Sequence, residues 1–427
     1  MAKSPDYETG KRVLRAFLRE RSLLSPLQIM YERMGHFFQI PLASFHPYVV
    51  GGPEANRKVL VTDRNKVRWR STDPVTDVLR QGVLVTDGEE HDLYRGLMEP
   101  ALAHGRLPGY AELMLRQTDR VSSTWQDGGV IDLLVEGRKI ALLIIMEALF
   151  GVDFWDDMPR LWTPILKTIA HISPGPWILW RQIPRPGFRR QLKAVDDCLY
   201  GIIRERRGSA PKTDLLGHLL EAGLNDDRIR DQMLTMLIAG HDTSTALLAW
   251  TFFLLGSEPE VMRRLDSDLE ASLGDLPPPA TAGWQPPLLD EVIKETLRLY
   301  PPIHIGNRIA AEEIDFGGGD VIPAGERFFY SIYVTQRDKT LWEDADQFRP
   351  ERFAHGRKTP PYAYVPFGGG PRACIGAAFG QAEARIVVAR LLQTFRFELT
   401  NRKVHAHMGA TLEPRPGVLM RVSRKGP

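Results

Sequence analysis

The stretch from Asp226 to Gly256 limits the fold most, because it is the longest uninterrupted helical pattern in the chain. Leu234, Leu237, Ile238, Leu247, Leu248, Trp250 and Phe253 make it apolar nearly all round. A helix without a polar face must be wrapped by other elements, so the pattern predicts a buried central helix. Its middle reads Ala239-Gly240-His241-Asp242-Thr243-Ser244. Polar groups are costly inside a core unless they are used. Thr243 is placed to donate back to the carbonyl of Ala239 and loosen the helix beside Gly240. The same residues also read as Asp242-Thr243-Ser244 capping a new helix after a break at Gly240. The stretch alone leaves both readings open.

Helical periodicity surrounds this segment. It predicts helices over Ser22 to Met34, Glu89 to Leu102 (with Asp87 as its cap), Leu107 to Trp125, Ile131 to Phe150 and Pro159 to Ile172. It predicts others over Arg189 to Arg207, Pro259 to Leu273, Leu288 to Tyr300 and Ala377 to Leu392. Short strand-like runs lie within Phe37 to Val50, Ile314 to Tyr333, Phe395 to Leu399 and Val418 to Val422. Arg68 to Gly88 reads as loop with one helical turn. Ser173 to Pro186 holds four prolines and two tryptophans, so it reads as a loop. No repeat or low-complexity linker interrupts the 427 residues. The expected architecture is one domain, 1–427, mainly α with small β-sheets.

A net charge of +2 gives no reason to expect nucleic-acid binding. Two cysteines, Cys198 and Cys374, rule out a disulfide framework and a Cys-rich zinc site, and fit a reducing compartment. Met1 to Gly10 is polar without an apolar signal region, and no run approaches the roughly twenty apolar residues of a membrane span. A cytoplasmic location is expected.

Phe367-Gly368-Gly369-Gly370-Pro371-Arg372-Ala373-Cys374-Ile375-Gly376 is the stretch richest in chemistry. Three glycines allow a tight turn with positive φ and close approach to a ligand. The helical pattern behind puts Cys374 just before a helix N-terminus, where the dipole and free N–H groups favour a thiolate. A shielded thiolate suits a haem iron. A glycine-rich turn with one buried structural cysteine is the plainer alternative. Two further constellations stand elsewhere. His91 and Arg95 lie at i and i+4, on one helix face, where they suit a carboxylate or simply face solvent. Glu295 and Arg298 form an i,i+3 pair of a kind common on solvated helices.

The order Phe-x-x-Gly-x-Arg-x-Cys-x-Gly resembles the haem-ligand signature of the cytochrome P-450 family, with all specified positions matched. Ala239-Gly240-x-Asp242-Thr243 matches that family's oxygen-activating motif. His91-x-x-x-Arg95, Glu295-x-x-Arg298 and Arg352 in Pro350-Glu351-Arg352-Phe353 follow in family order. The resemblance implies the cytochrome P-450 fold, with Cys374 as axial ligand of haem b and Phe367, Gly368 and Gly376 lining it. His91, Arg95, Arg308 and Arg372 would then hold the propionates, and Asp242 and Thr243 would deliver protons. Glu295, Arg298 and Arg352 would form a buried structural network. Substrate would be lined by Val83, Leu84, Ile169, Leu237, Ala239, Ile303, Ile305, Ala410 and Leu412, under a roof at Ser173 to Pro186.

The implied activity is that of a haem-thiolate monooxygenase placing one oxygen atom of O2 into an apolar small molecule. The substrate classes it suggests are a terpenoid, steroid, fatty acid or aromatic natural product. Electrons would come from NAD(P)H through a separate ferredoxin or flavodoxin with its reductase. An acidic partner would dock near His355, Arg357 and Lys358, and the chain would be a monomer. A peroxide-driven or isomerising haem-thiolate enzyme is one alternative, but such members often lack the acid–alcohol pair present here. A non-catalytic haem-binding sensor is another, and it would need no proton path.

Overall fold

The computed structural model describes residues 5–20, 22–40, 45–69, 73–173, 187–279, 284, 286–355 and 357–426. At its centre one helix, Asp226–Ser257, runs 32 residues without a break. Asn225 starts it by accepting the Arg228 N–H at 2.9 Å. Because the helix continues through Gly240, Asp242-Thr243-Ser244 do not cap a second helix. Instead Thr243 Oγ1 donates back to the Ala239 carbonyl at 2.7 Å. The helix packs most extensively along Leu133–Phe150. At Gly240 the two come so close that an added Cβ would lie 2.4 Å from Ile145 Cδ1.

The predicted helices recur with small shifts at their ends: Leu24–Met34, Gly88–Leu102, Leu107–Ser122, Met158–Ile172, Phe188–Arg207, Pro259–Leu273, Pro287–Leu299 and Ala377–Thr394. Two differences stand out. The polar N-terminus forms a helix, Tyr7–Glu20, held by burial of Thr9 and Ala16. Asp87 precedes Gly88–Leu102 but makes no side-chain cap. Its carboxylate accepts instead from the Trp69 N–H and from Arg372 at 2.6 Å, and the stronger attraction of a guanidinium explains the choice. The proline-rich loop lies outside the described residues beyond Ser173.

The β structure is small and peripheral. One five-stranded sheet orders Phe37–Gln39, Tyr48–Val50, Arg327–Ser331, Ile305–Ala310 and Val67–Arg68. Val130–Asp132, Leu419–Arg424 and Phe395–Leu399 make a second sheet. Two hairpins complete it, Ile314–Asp315 with Val321–Ile322 and His405–Met408 with Leu412–Arg415. Among the described residues no helix is long and apolar enough to cross a membrane.

Glu295, Arg298 and Arg352 form the expected buried network. Arg298 donates to both Glu295 oxygens at 2.7 and 2.8 Å, and Arg352 Nε reaches Glu295 Oε1 at 3.2 Å. Arg298 also donates to the carbonyls of Gln336, Ala345 and Gln347. This knot ties Pro287–Leu299 to the long loop that leads to Cys374.

Candidate active site

The cysteine loop is shaped by its glycines. Gly368 and Gly370 adopt φ of +70° and +62°. A Cβ on Gly370 would meet the Leu60 carbonyl oxygen at 2.2 Å, so the backbone there passes too close for a side chain. The Cys374 N–H donates to the Phe367 carbonyl at 2.8 Å and closes the loop. Cys374 is crowded by protein on most sides yet exposed at its open side, on a cavity of about 620 Å³ also lined by Arg95, Glu99, Asp290, Lys294 and Arg385. Burial pushes its thiol up, while the Gly376 N–H and the Arg95 charge pull it back down.

Four of the predicted residues converge beside this loop. Arg95 Nη1 donates to the Ala373 carbonyl at 2.7 Å, next to Cys374, and its Nε pairs with Glu99 at 2.8 Å. Arg372 donates to the Thr86 carbonyl and to Asp87. Its guanidinium is held below the ordinary range by burial, and the charges of Arg308 and Arg95 add to this while Asp87 opposes it. His91 is buried, with Nδ1 2.8 Å from Asp92 Oδ1. Burial lowers its pKa, and the Arg372 and Arg95 charges lower it further. Arg308 is buried over the rings of Trp69 and Tyr330, at 4.7 and 5.5 Å. It donates only to the Asn307 carbonyl, and among the described residues no carboxylate pairs with it. A buried guanidinium without a counter-charge is costly. The cluster therefore fits a group carrying carboxylates, and the open thiol fits that group's metal.

The polar centre of the central helix is organised by residues the motif did not reveal. Asp242 is buried and accepts from Arg138 Nη1 at 3.1 Å and from Thr411 Oγ1 at 2.7 Å. His241 beside it is fully enclosed, and burial drives its pKa down to about 3, so the ring is neutral. Ser244 Oγ donates to Glu383 Oε2 at 2.6 Å. Glu383 sits nine residues beyond Cys374 on Ala377–Thr394, so this bond ties the Asp242-Thr243 turn to the helix behind the cysteine. Burial pushes Glu383 up to about 8, which keeps it neutral at pH 7. Arg138 and Thr411 lie far from the motifs in sequence, Glu383 lies on the helix directly behind the cysteine motif, and only their type, a polar residue in an apolar helix pattern, hinted at Arg138 and Glu383.

The expected lining residues do not all meet. Val83, Ile169, Leu237 and Ala410 share the main apolar core with the central helix. Ile305 instead packs against a separate cluster with Leu27 and Val49. Leu84 and Ile303 are exposed, and Ala239 is half-buried on the motif turn. Leu412 is fully buried, its carbonyl accepting from Trp250 Nε1 at 2.8 Å. His355, Arg357 and Lys358 are exposed.

The family model described as cytochrome P-450 matches residues 13–420. Among curated proteins, pentalenene oxygenase of Streptomyces avermitilis is 30% identical over 389 residues, covering 87% of this chain and 86% of its own. Cyclooctat-9-en-7-ol 5-monooxygenase of Streptomyces melanosporofaciens is 29% identical over 390 residues, covering 87% and 85%. The protein LUTEIN DEFICIENT 5, chloroplastic, of Arabidopsis thaliana is 27% identical over 453 residues, covering 96% and 75%.

Proposed function

The chain belongs to the cytochrome P-450 family and is a haem-thiolate monooxygenase that uses O2, a small-molecule substrate and a redox partner, and from that premise we propose that it oxygenates a terpenoid. The names of two relatives specify terpenoid substrates, and Ile169 and Leu237 are buried in the same apolar core as the central helix. Val83 and Ala410 pack against that core and Ala239 lies on the motif turn, whereas Leu84, Ile303, Ile305 and Leu412 are weaker candidates for the substrate lining. We further assign the whole chain, 1–427, to one domain holding haem b. NAD(P)H would be the ultimate electron source through a ferredoxin or flavodoxin with its reductase.

The observation that carries the site assignment is the set of cations beside Cys374, with Arg308 lacking a counter-charge among the described residues. Cys374 would ligate the iron. His91, Arg95, Arg308 and Arg372 would hold the propionates, and Phe367, Gly368 and Gly376 let the backbone pass close to the ring. Bound haem supplies O2 activation and the oxidising power for oxygen insertion. Charge-assisted bonds of the propionate kind are worth about 1.5–3 kcal/mol each. The Arg95→Ala, Arg372→Ala double variant should therefore lose haem to apomyoglobin much faster than the wild type. An unchanged transfer rate would remove these residues from the propionate set.

Asp242 and Thr243 are read as the proton-delivery pair. The Thr243 hydroxyl proton is committed to the Ala239 carbonyl. Its lone pairs are left to accept, so the hydroxyl holds and orients a water rather than giving up its own proton. Asp242 precedes it by one residue and faces differently, where it replenishes the proton. Groups positioned for proton transfer contribute roughly 10²–10⁴-fold in rate. With a cyclic terpene, a ferredoxin and its reductase, Thr243→Ala should still bind substrate, seen as a Soret spin-state shift, and still consume reductant. Much of that reductant should appear as hydrogen peroxide instead of product. Unaltered product per reductant would overturn the role of Thr243. A Soret shift only with highly charged ligands would overturn the terpenoid assignment.

A further inference from the structure

Asp242 shares its cation. Arg138, on Leu133–Phe150, donates from Nη1 to Asp242 and from Nη2 to Glu413. All three groups are buried: Arg138 is 8%, Asp242 1% and Glu413 6% exposed. The two carboxylates and Arg138 carry one net negative charge, which the half-exposed Arg415 beside Glu413 offsets only from the solvent side, and a buried excess of negative charge favours uptake of a proton. The hairpin strand that carries Glu413 is held firmly against the central helix. Thr411 donates to Asp242, the Leu412 carbonyl accepts from Trp250, and the Leu412 N–H donates to the Pro302 carbonyl at 2.9 Å. The outer oxygen of Glu413 accepts from Arg415 Nη2 at 3.3 Å, and the Arg415 side chain is half exposed. Across the hairpin His407 stands opposite Glu413 and is half-buried. A chain of polar groups thus runs from the surface at Arg415 and His407, through Glu413 and Arg138, to Asp242.

We propose that Glu413 is a positioning residue for proton delivery: it competes with Asp242 for the Arg138 guanidinium and so sets the pH at which Asp242 holds a proton. The inference rests on the reading of Asp242 as the inner proton donor. In each cycle Asp242 gives one proton to the water held at Thr243 and takes one back from solvent, while Arg138 and Glu413 keep their protonation states, so the group returns to its starting charge. Burial pushes Asp242 up to about 6, the Arg138 charge opposes this, the Glu413 charge adds to it, and the Thr411 and Arg138 hydrogen bonds oppose it. The other groups facing the pair are His241, held neutral, beside Asp242, and Arg415 and His407 beside Glu413.

The sign of the effect separates this role from a structural one. Removing the Glu413 charge leaves Arg138 wholly to Asp242, so Glu413→Gln should lower the pH at which Asp242 titrates by about one unit or more. Removing the cation should act the opposite way, and Arg138→Gln should raise it. The readout is the infrared carbonyl band of protonated Asp242 in the resting holoenzyme, identified by its loss in Asp242→Asn. The pH profile of product per reductant should shift down in Glu413→Gln by the same amount. A band that titrates unchanged or at higher pH in Glu413→Gln overturns the proposal, and that variant alone decides if Arg138→Gln does not fold. If Asp242→Asn leaves product per reductant unchanged, Asp242 is not the inner donor and the delivery role of Glu413 falls with it. The infrared shift would then still decide whether the two carboxylates share Arg138.

Discussion

Cys374→Ser should abolish the strongly red-shifted Soret band of the reduced protein with CO, while Cys198→Ser should keep it. The chain offers these two thiols only, and their surroundings differ. Cys198 lies on Phe188–Arg207, where burial and the Asp157 charge push its thiol up to about 11 despite the Arg160 charge. A thiol held protonated in that way is a poor ligand and an inert one. Burial raises Cys374 as well, but the Gly376 N–H and Arg95 offset it, and its open side faces a cavity. A metal cation in contact deprotonates a coordinating thiol outright, so the local preference for the neutral form does not prevent ligation. Serine keeps the volume and removes the soft, polarisable sulfur that gives the band its position. Retention of the band in Cys374→Ser, or its loss in Cys198→Ser, would transfer the ligand role away from Cys374.

Glu295→Ala should cost about 3–5 kcal/mol of stability, because it leaves Arg298 charged, buried and unpaired. Both side chains are fully enclosed. Arg298 would keep its three carbonyl acceptors, but their partial charges do not replace a full negative charge. The Glu295 carboxylate also accepts from the Arg349 N–H at 2.9 Å and from Arg352, so its loss frees the segment around Pro350–Phe353 as well. Glu295→Gln keeps the shape without the charge and should cost less. Denaturant unfolding of the three proteins measures this, and a loss below about 1 kcal/mol in Glu295→Ala would show that the network is not a stabilising element. Arg298 is held below its ordinary range by burial, in opposition to Glu295, so removal of the carboxylate takes away the main support for its charge.

Local pattern was enough for the elements and for the cysteine loop. The apolar circumference of Asp226–Ser257 required a buried helix, and the run of glycines required a turn with positive φ. Both requirements are set by neighbours in sequence, through helical periodicity and backbone sterics. His91 and Arg95 were legible for the same reason, since one turn of helix joins them. The Tyr7–Glu20 helix is not legible in the sequence because it is polar on average and its stability comes from what Thr9 and Ala16 pack against. Asp87 does not cap the helix that follows it because Arg372, 285 residues away, outcompetes the helix N–H groups for it.

What the sequence by itself determined is the family, the mainly helical fold with small sheets, and which residue types carry the chemistry. Only the tertiary structure decided whether Asp242-Thr243-Ser244 begin a helix or sit inside one, and which partners they take. The motif is compatible with either backbone, and packing of Gly240 against Ile145 favours the continuous helix. Tertiary structure likewise brought Arg138, Thr411 and Glu413 to Asp242 from segments 104, 169 and 171 residues away. Buried charges need counter-charges whatever their distance along the chain. The identity of those counter-charges follows from how helices and a hairpin pack, which no local pattern encodes.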